Sequence, residues 1–235
     1  MLINTSNEDQ PIPGNEGMTR SFSRRNFFGM VGAGSALMVV AASCKKDKRP
    51  VISKDAVDLG SGDVGVLNYA YALEQLEAAF YMKVVASPYS QMSAMEKAYL
   101  TDIRDHEIAH REFFKAALST SAIQSLEVNF KSIDFTDRTS VLGTAKAFED
   151  LGVSAYNGAG KLLTNPDYLT LAGKIVSVEA RHAAWIRDII TPGSFADSTA
   201  IDMNGLDKAK TPDEVLSVAG AFLKTKLNAS NLPTS

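Results

Sequence analysis

Cysteine, histidine, tryptophan and net charge are all scarce in this chain. The one cysteine, Cys44, excludes an internal disulfide and any zinc site built from several thiolates. A net charge of −3 supplies no basic footprint, so no nucleic-acid partner is expected. The most apolar stretch, Phe27 to Ala42, is glycine-rich and shorter than the about 20 residues a membrane-spanning helix needs. No solenoid-length repeat and no low-complexity block is present. What remains is 45% hydrophobic and 22% charged residues, the balance of a globular domain with a core of its own.

The chain divides into a targeting segment (1–44), a tether (45–62), a folded domain (63–226) and a tail (227–235). Residues 23–28 read SRRNFF, and a basic region followed by an apolar, small-residue stretch has the layout of a signal peptide. Arg24–Arg25 followed by Phe27–Phe28 resembles a twin-arginine export signal. Ala41-Ala42-Ser43-Cys44 resembles a bacterial lipobox, with Ala41 where leucine is more typical; lipidation of Cys44 would anchor the protein to a membrane. The expected location is the bacterial periplasm or envelope. An ordinary secretory signal ending beside an unmodified cysteine is the competing reading.

From residue 63 the pattern is helical. The first helix runs through VGVLNYAYALEQLEAAFYMKVVA and stops near Ser87-Pro88, because proline disfavours helix in the residue before it. The second opens with the capping box Ser93–Glu96 and runs to about Leu118. The third begins near Ser140. The fourth starts at Asn165-Pro166 and ends before Pro192. A short fifth begins at Thr211, with Val215, Leu216, Val218 and Phe222 as its apolar side. Short links make helices one and two, and three and four, antiparallel neighbours. The link between two and three shows no helical period, and Leu126, Val128 and Phe130 alternate as in extended chain. At about 3.3 Å per residue it can span the whole bundle. The fold class is all-α: a four-helix bundle of two antiparallel hairpins joined by a long crossover, plus a short C-terminal helix.

The inward faces carry the chemistry. Helix one presents Leu67, Tyr71, Glu74, Ala78, Tyr81 and Val85; helix three presents Leu142, Ala145, Glu149, Gly152, Tyr156, Ala159 and Leu163. Each stripe has one glutamate and, nearly two turns later on the same face, a tyrosine. Helix two offers Glu107 and His110, helix four Glu179 and His182. Glu74/Glu149 and Tyr81/Tyr156 lie 75 residues apart, Glu107/Glu179 and His110/His182 lie 72 apart, an internal pseudo-symmetry. One glutamate from each of two helices and a Glu-x-x-His from each of the others make a dinuclear carboxylate site. Such ligands suit iron or manganese, and Tyr81 and Tyr156 could hydrogen-bond the carboxylates. Glu77 is the competing candidate for the place of Glu74. His106, about 100° around the helix from Glu107, is expected at the surface or behind a ligand. Arg181 is expected in solvent, and Trp185 and the pair Phe113–Phe114 in the core.

LNYAYALEQLEAAFY, DHEIAHREFF, FEDLGVSAYNGA and VEARHAAWIRD resemble the ferritin-like superfamily, in particular the exported ferritin-like family that includes desiccation-related proteins. The resemblance implies Glu74, Glu107, His110, Glu149, Glu179 and His182 as ligands of two metal ions, iron favoured over manganese. It departs at one point: many di-iron relatives carry, immediately before the second- and fourth-helix glutamates, an aspartate that orients a histidine, and here those positions hold His106 and Val178. The expected activity is oxidation of Fe(II) or handling of dioxygen or peroxide, with a homo-oligomer allowed. The alternatives are a non-enzymatic, stress-related structural or interaction lipoprotein with a weak or vestigial metal site, and an oxidase of an organic substrate. A lipid-anchored N-terminus argues against a large storage cage.

Overall fold

The computed structural model describes residues 55–234. The expected export signal, Cys44 and most of the 45–62 tether lie outside the described residues. The elements are strand β1 (Val57–Asp58), helices α1 (Gly62–Ala86), α2 (Ala94–Leu118), α3 (Arg138–Ala159), α4 (Pro166–Ile190) and α5 (Pro212–Ala219), and strand β2 (Leu227–Asn228). This is the all-α bundle expected, four long helices with a short one near the C-terminus. Among the described residues no helix is long and apolar enough to cross a membrane.

Capping chemistry sets the helix starts. The Ser93 hydroxyl accepts from Glu96 N (3.1 Å) while the Glu96 carboxylate accepts from Ser93 N (2.9 Å), and Thr211 and Glu214 repeat the arrangement at α5. Asn165 caps α4 with Pro166 at its first position. Helix α3 starts two residues earlier than Ser140, because the Asp137 carboxylate accepts from Ser140 N at 2.7 Å and takes the cap. Thr136, Asp137, Thr139 and Ser140 are all cap-competent side chains, so the local sequence alone leaves the choice open.

Helices α1 and α2 pack as one hairpin, α3 and α4 as another. Asp63, in the first turn of α1, accepts from Thr164 N (2.8 Å) and Asn165 N (2.9 Å), so α1 and α4 begin at one end. Glu96 of α2 meets Arg138 of α3 at 2.7 Å, so these two begin together at the other end. Two helices that run the same way cannot be joined by a tight turn. Residues 119–137 therefore return along the bundle as a crossover, with Leu126, Val128 and Phe130 half-buried against the core.

That crossover covers the outer side of α1. Asn68 Nδ2 donates to Leu59 O (3.1 Å) and Ser121 O (2.9 Å), Asn68 Oδ1 accepts from Ile123 N (2.9 Å), and Gln75 Oε1 accepts from Leu126 N (2.9 Å). Helix α1 is consequently buried without a break from Gly65 to Ala78. The crossover is held in turn by the C-terminal segment, where Asn129 N donates to Phe222 O (2.7 Å) and Lys224 N to Glu127 O (2.8 Å).

The C-terminal part differs from expectation in two ways. Val215 and Ala219 of α5 are fully buried and Leu216 and Phe222 pack half-buried against the core as expected, whereas Val218 faces outward. The segment set apart as a tail folds back: β2 pairs in parallel with β1, at the end of the tether, and Leu232 is buried. Backbone pairing of two-residue strands leaves too little side-chain pattern to read in advance. The approach to α3 is close as well. Lys210 N donates to Ser154 O at 2.9 Å, and a Cβ on Gly158 would fall 1.7 Å from Lys210 O.

Candidate metal centre

Each long helix delivers its share to the bundle centre: Glu74 and Tyr81 from α1, Glu107 and His110 from α2, Glu149 and Tyr156 from α3, Glu179 and His182 from α4. The four glutamates have no exposed surface, and the His182 and His110 side chains keep only 5% and 13%. They form two overlapping groups: Glu74, Glu107, His110 and Glu179, and Glu107, Glu149, Glu179 and His182. Within each, one ligand-type atom per residue lies within 4.8 Å of every other. Glu107 and Glu179 belong to both, the place of bridging carboxylates.

His110 Nδ1 is 2.8 Å from Glu179 Oε1 and 3.5 Å from Glu74 Oε2; His182 Nδ1 is 3.0 Å from Glu107 Oε1 and 3.4 Å from Glu149 Oε2. These approaches lack hydrogen-bond geometry. Glu74 Oε2, both oxygens of Glu107, Glu149 Oε2, both oxygens of Glu179 and Nδ1 of both histidines are buried with no hydrogen-bond partner among the described residues. Leaving such groups unsatisfied costs on the order of 1–3 kcal/mol each, more when charged. Eight orphaned donor atoms pointing at one another could be relieved by cations, and four carboxylates would offset the charge of two divalent ions. The oxygen and imidazole donors fit iron or manganese.

The remaining oxygen of Glu74 and of Glu149 is held by a tyrosine from the opposite helix. Tyr81 donates to Glu149 Oε1 at 2.5 Å, and Tyr156 donates to Glu74 Oε1. The crossing follows from helix direction: in antiparallel α1 and α3, the residue seven beyond one glutamate sits level with the other. Burial and the neighbouring carboxylates push both phenol pKa values up, so both remain donors.

The cluster is strongly polarised. Burial pushes Glu107 well up, helped by the Glu179 charge, and pushes Glu74 up in the same way. Burial raises Glu149 to about 7, against the pull of His182 and Tyr81. Burial also acts to raise Glu179, yet the two imidazoles outweigh it and hold Glu179 down at about 2. For His110 burial opposes the charge, but Glu107, Glu179 and Glu74 prevail and push it up to about 12; His182 is raised by the same balance. The metal-free centre thus favours the charged form of both imidazoles and the protonated form of Glu74, Glu107 and Glu149.

Three neighbours complete the picture. His106 is exposed on its outer side, and its Nδ1 lies 2.9 Å from His182 Nε2, the two rings within 7° of parallel and meeting edge to edge. Glu77 is buried at 4% exposure, and none of the described hydrogen bonds involves it; a Cβ on Gly152 would lie 3.1 Å from its Oε1. Glu77 is outside both groups of converging atoms, where Glu74 stands. Gly152 is its pseudo-symmetry mate, so the space that a second side chain would need holds this carboxyl instead. Burial pushes its pKa well up, and the surrounding carboxylates add to the shift. Arg181 is in solvent, while Trp185 is half-buried with its ring 4.8 Å from that of Tyr99. Of the expected core pair, Phe114 is buried but Phe113 is 39% exposed, because adjacent helical positions point about 100° apart.

Sequence reasoning did not foresee the crossed tyrosine pairing, although the loop lengths that make α1 and α3 antiparallel carried that signal. It did not foresee the burial of Glu77 either, since the crossover that covers α1 has no helical pattern to announce its path. No curated protein matches the chain. Residues 62–192, more than half of the chain and all four long helices, match the family model described as a ferritin-like domain. With its four-helix architecture and its buried Glu/His cluster inside that span, the chain belongs to the ferritin-like domain family.

Proposed function

We propose that Glu74, Glu107, His110, Glu149, Glu179 and His182 hold two divalent ions, iron rather than manganese, and that the protein is an exported di-metal oxidoreductase of the bacterial envelope. The observation that carries this reading is the set of eight buried, partnerless donor atoms converging from four helices. Two such ions supply a paired one-electron centre able to oxidise Fe(II) or to pass two electrons to dioxygen or peroxide. The protein's own part is to neutralise the ions with four carboxylates, to fix Glu74 and Glu149 through Tyr156 and Tyr81, and to keep bulk water out. The twin-arginine-like signal and the lipobox-like Cys44 support export and a lipid anchor.

Metal quantification on the purified protein tests the reading. Two iron or manganese ions per chain are expected, with binding lost in Glu107→Ala and His182→Ala. No metal after anaerobic reconstitution with Fe(II) and with Mn(II) would overturn it. A lipoprotein with a vestigial site would instead keep its cellular role in both variants.

A further inference from the structure

The two halves of the centre are related by sequence pseudo-symmetry but not by what stands behind their histidines. His182 turns Nδ1 toward Glu107, Glu149 and Glu179 and Nε2 toward His106 Nδ1 at 2.9 Å. The position related to His106 by the 72-residue offset is Val178, which has no acceptor. No described hydrogen bond reaches His110 Nε2, and the His110 side chain is the more exposed of the two, 13% against 5%. Building on the di-metal reading above, we propose that His106 is a positioning residue that makes the two metal positions unequal, the His182 position binding its ion more tightly and the His110 position exchanging it.

The chemistry is that of the imidazole ring. A histidine that offers its Nδ1 lone pair to a cation must carry its proton on Nε2. That N–H is then a buried donor, and an acceptor in line with it fixes both the tautomer and the ring angle and makes Nδ1 a better base. His106 Nδ1 accepts this bond, which places the His106 proton on its own Nε2, toward solvent. That bond, between two nearly parallel rings that meet edge to edge, resists rotation of His182 about its side-chain axis. His110 has no described partner at Nε2, so nothing on that side fixes its ring angle or its tautomer. His106 also forms part of the wall, with His182, Tyr99, Trp185 and Arg181, of an open pocket of about 270 Å³. Its side chain can therefore be replaced without disturbing the packed interior.

The test is an anaerobic titration of the metal-free protein with Co(II), followed by its visible absorption bands. Wild type is expected to fill in two steps of different affinity. His106→Ala is expected to weaken the tighter step by about 10- to 100-fold, leave the weaker one in place and change the band shape of the first ion bound. His106→Asn, whose amide oxygen can accept the same bond, is expected to restore most of the difference. Two unchanged steps in His106→Ala, or equal weakening of both, would overturn the inference while leaving the di-metal reading intact. A wild-type protein that binds no Co(II), Fe(II) or Mn(II) would overturn both.

Discussion

The metal-free protein should lose stability as the pH rises from 5 to 8, the reverse of a protein that denatures mainly in acid. The direction follows from proton counts. Glu74, Glu77, Glu107 and Glu149 have folded pKa values above the unfolded value, so their contribution is complete below about 4.5 and is lost as pH rises through their folded values. His110 and His182 are raised as well; what they contribute is complete below about 6.5 and declines only above it, for His110 until about 12. Within the cluster two groups run the other way: the contribution of Glu179 is lost as pH falls through about 2, and His106, held by burial below the usual imidazole range, offsets part of the trend. Between pH 5 and 8 the folded state therefore binds more protons than the unfolded one. Each net proton is worth about 1.4 kcal/mol per pH unit, so a single one gives about 4 kcal/mol over this range, a large share of a typical 5–15 kcal/mol. For a domain of this size that is a fall in Tm of roughly 8–16 °C. Bound divalent ions replace the protons, so the stabilisation by metal should grow over the same interval. Thermal unfolding by circular dichroism at several pH values, with and without reconstitution, reads both curves. A metal-free Tm that is flat or rises from pH 5 to 8 would refute the reasoning.

Three further predictions concern single side chains. Glu77→Met removes one of the buried carboxyls without touching the converging donor atoms, so the metal-free protein should gain stability at pH 8 and its pH slope should flatten by up to about 1.4 kcal/mol per pH unit, measured by the same melts. Tyr156→Phe leaves Glu74 Oε1 buried without its donor and should cost about 1–3 kcal/mol in urea unfolding of the metal-free protein. Gly158→Ala drives a methyl into the Lys210 carbonyl and should detach the segment around residue 210 from α3, seen as faster amide exchange there and a loss of about 1–3 kcal/mol.

Most of the scaffold was legible because its signals are local. The cap at Ser93, the Asn165-Pro166 start and the Thr211 box lie where side chain meets backbone a few residues away, and helix starts were read correctly where one cap stood alone. At α3, where several caps compete, Asp137 rather than Ser140 forms the cap. The Glu, Glu-x-x-His, Glu, Glu-x-x-His order was equally readable, because an apolar helix face interrupted by one carboxylate has few uses other than holding a cation or a proton. The structure brings those six side chains together at the bundle centre.

What the one-dimensional pattern determined is therefore the helices, their pairing and the residue types that meet at the centre, all of which follow from periodicity, capping and loop length. Only the tertiary structure decided which tyrosine serves which glutamate, that Glu77 is enclosed beside the centre, and that His106 stands behind His182 while no described hydrogen bond reaches His110 Nε2. Those outcomes depend on helix direction, on relative rotation of packed helices and on the path of an extended crossover. None of these is encoded within a single turn of helix.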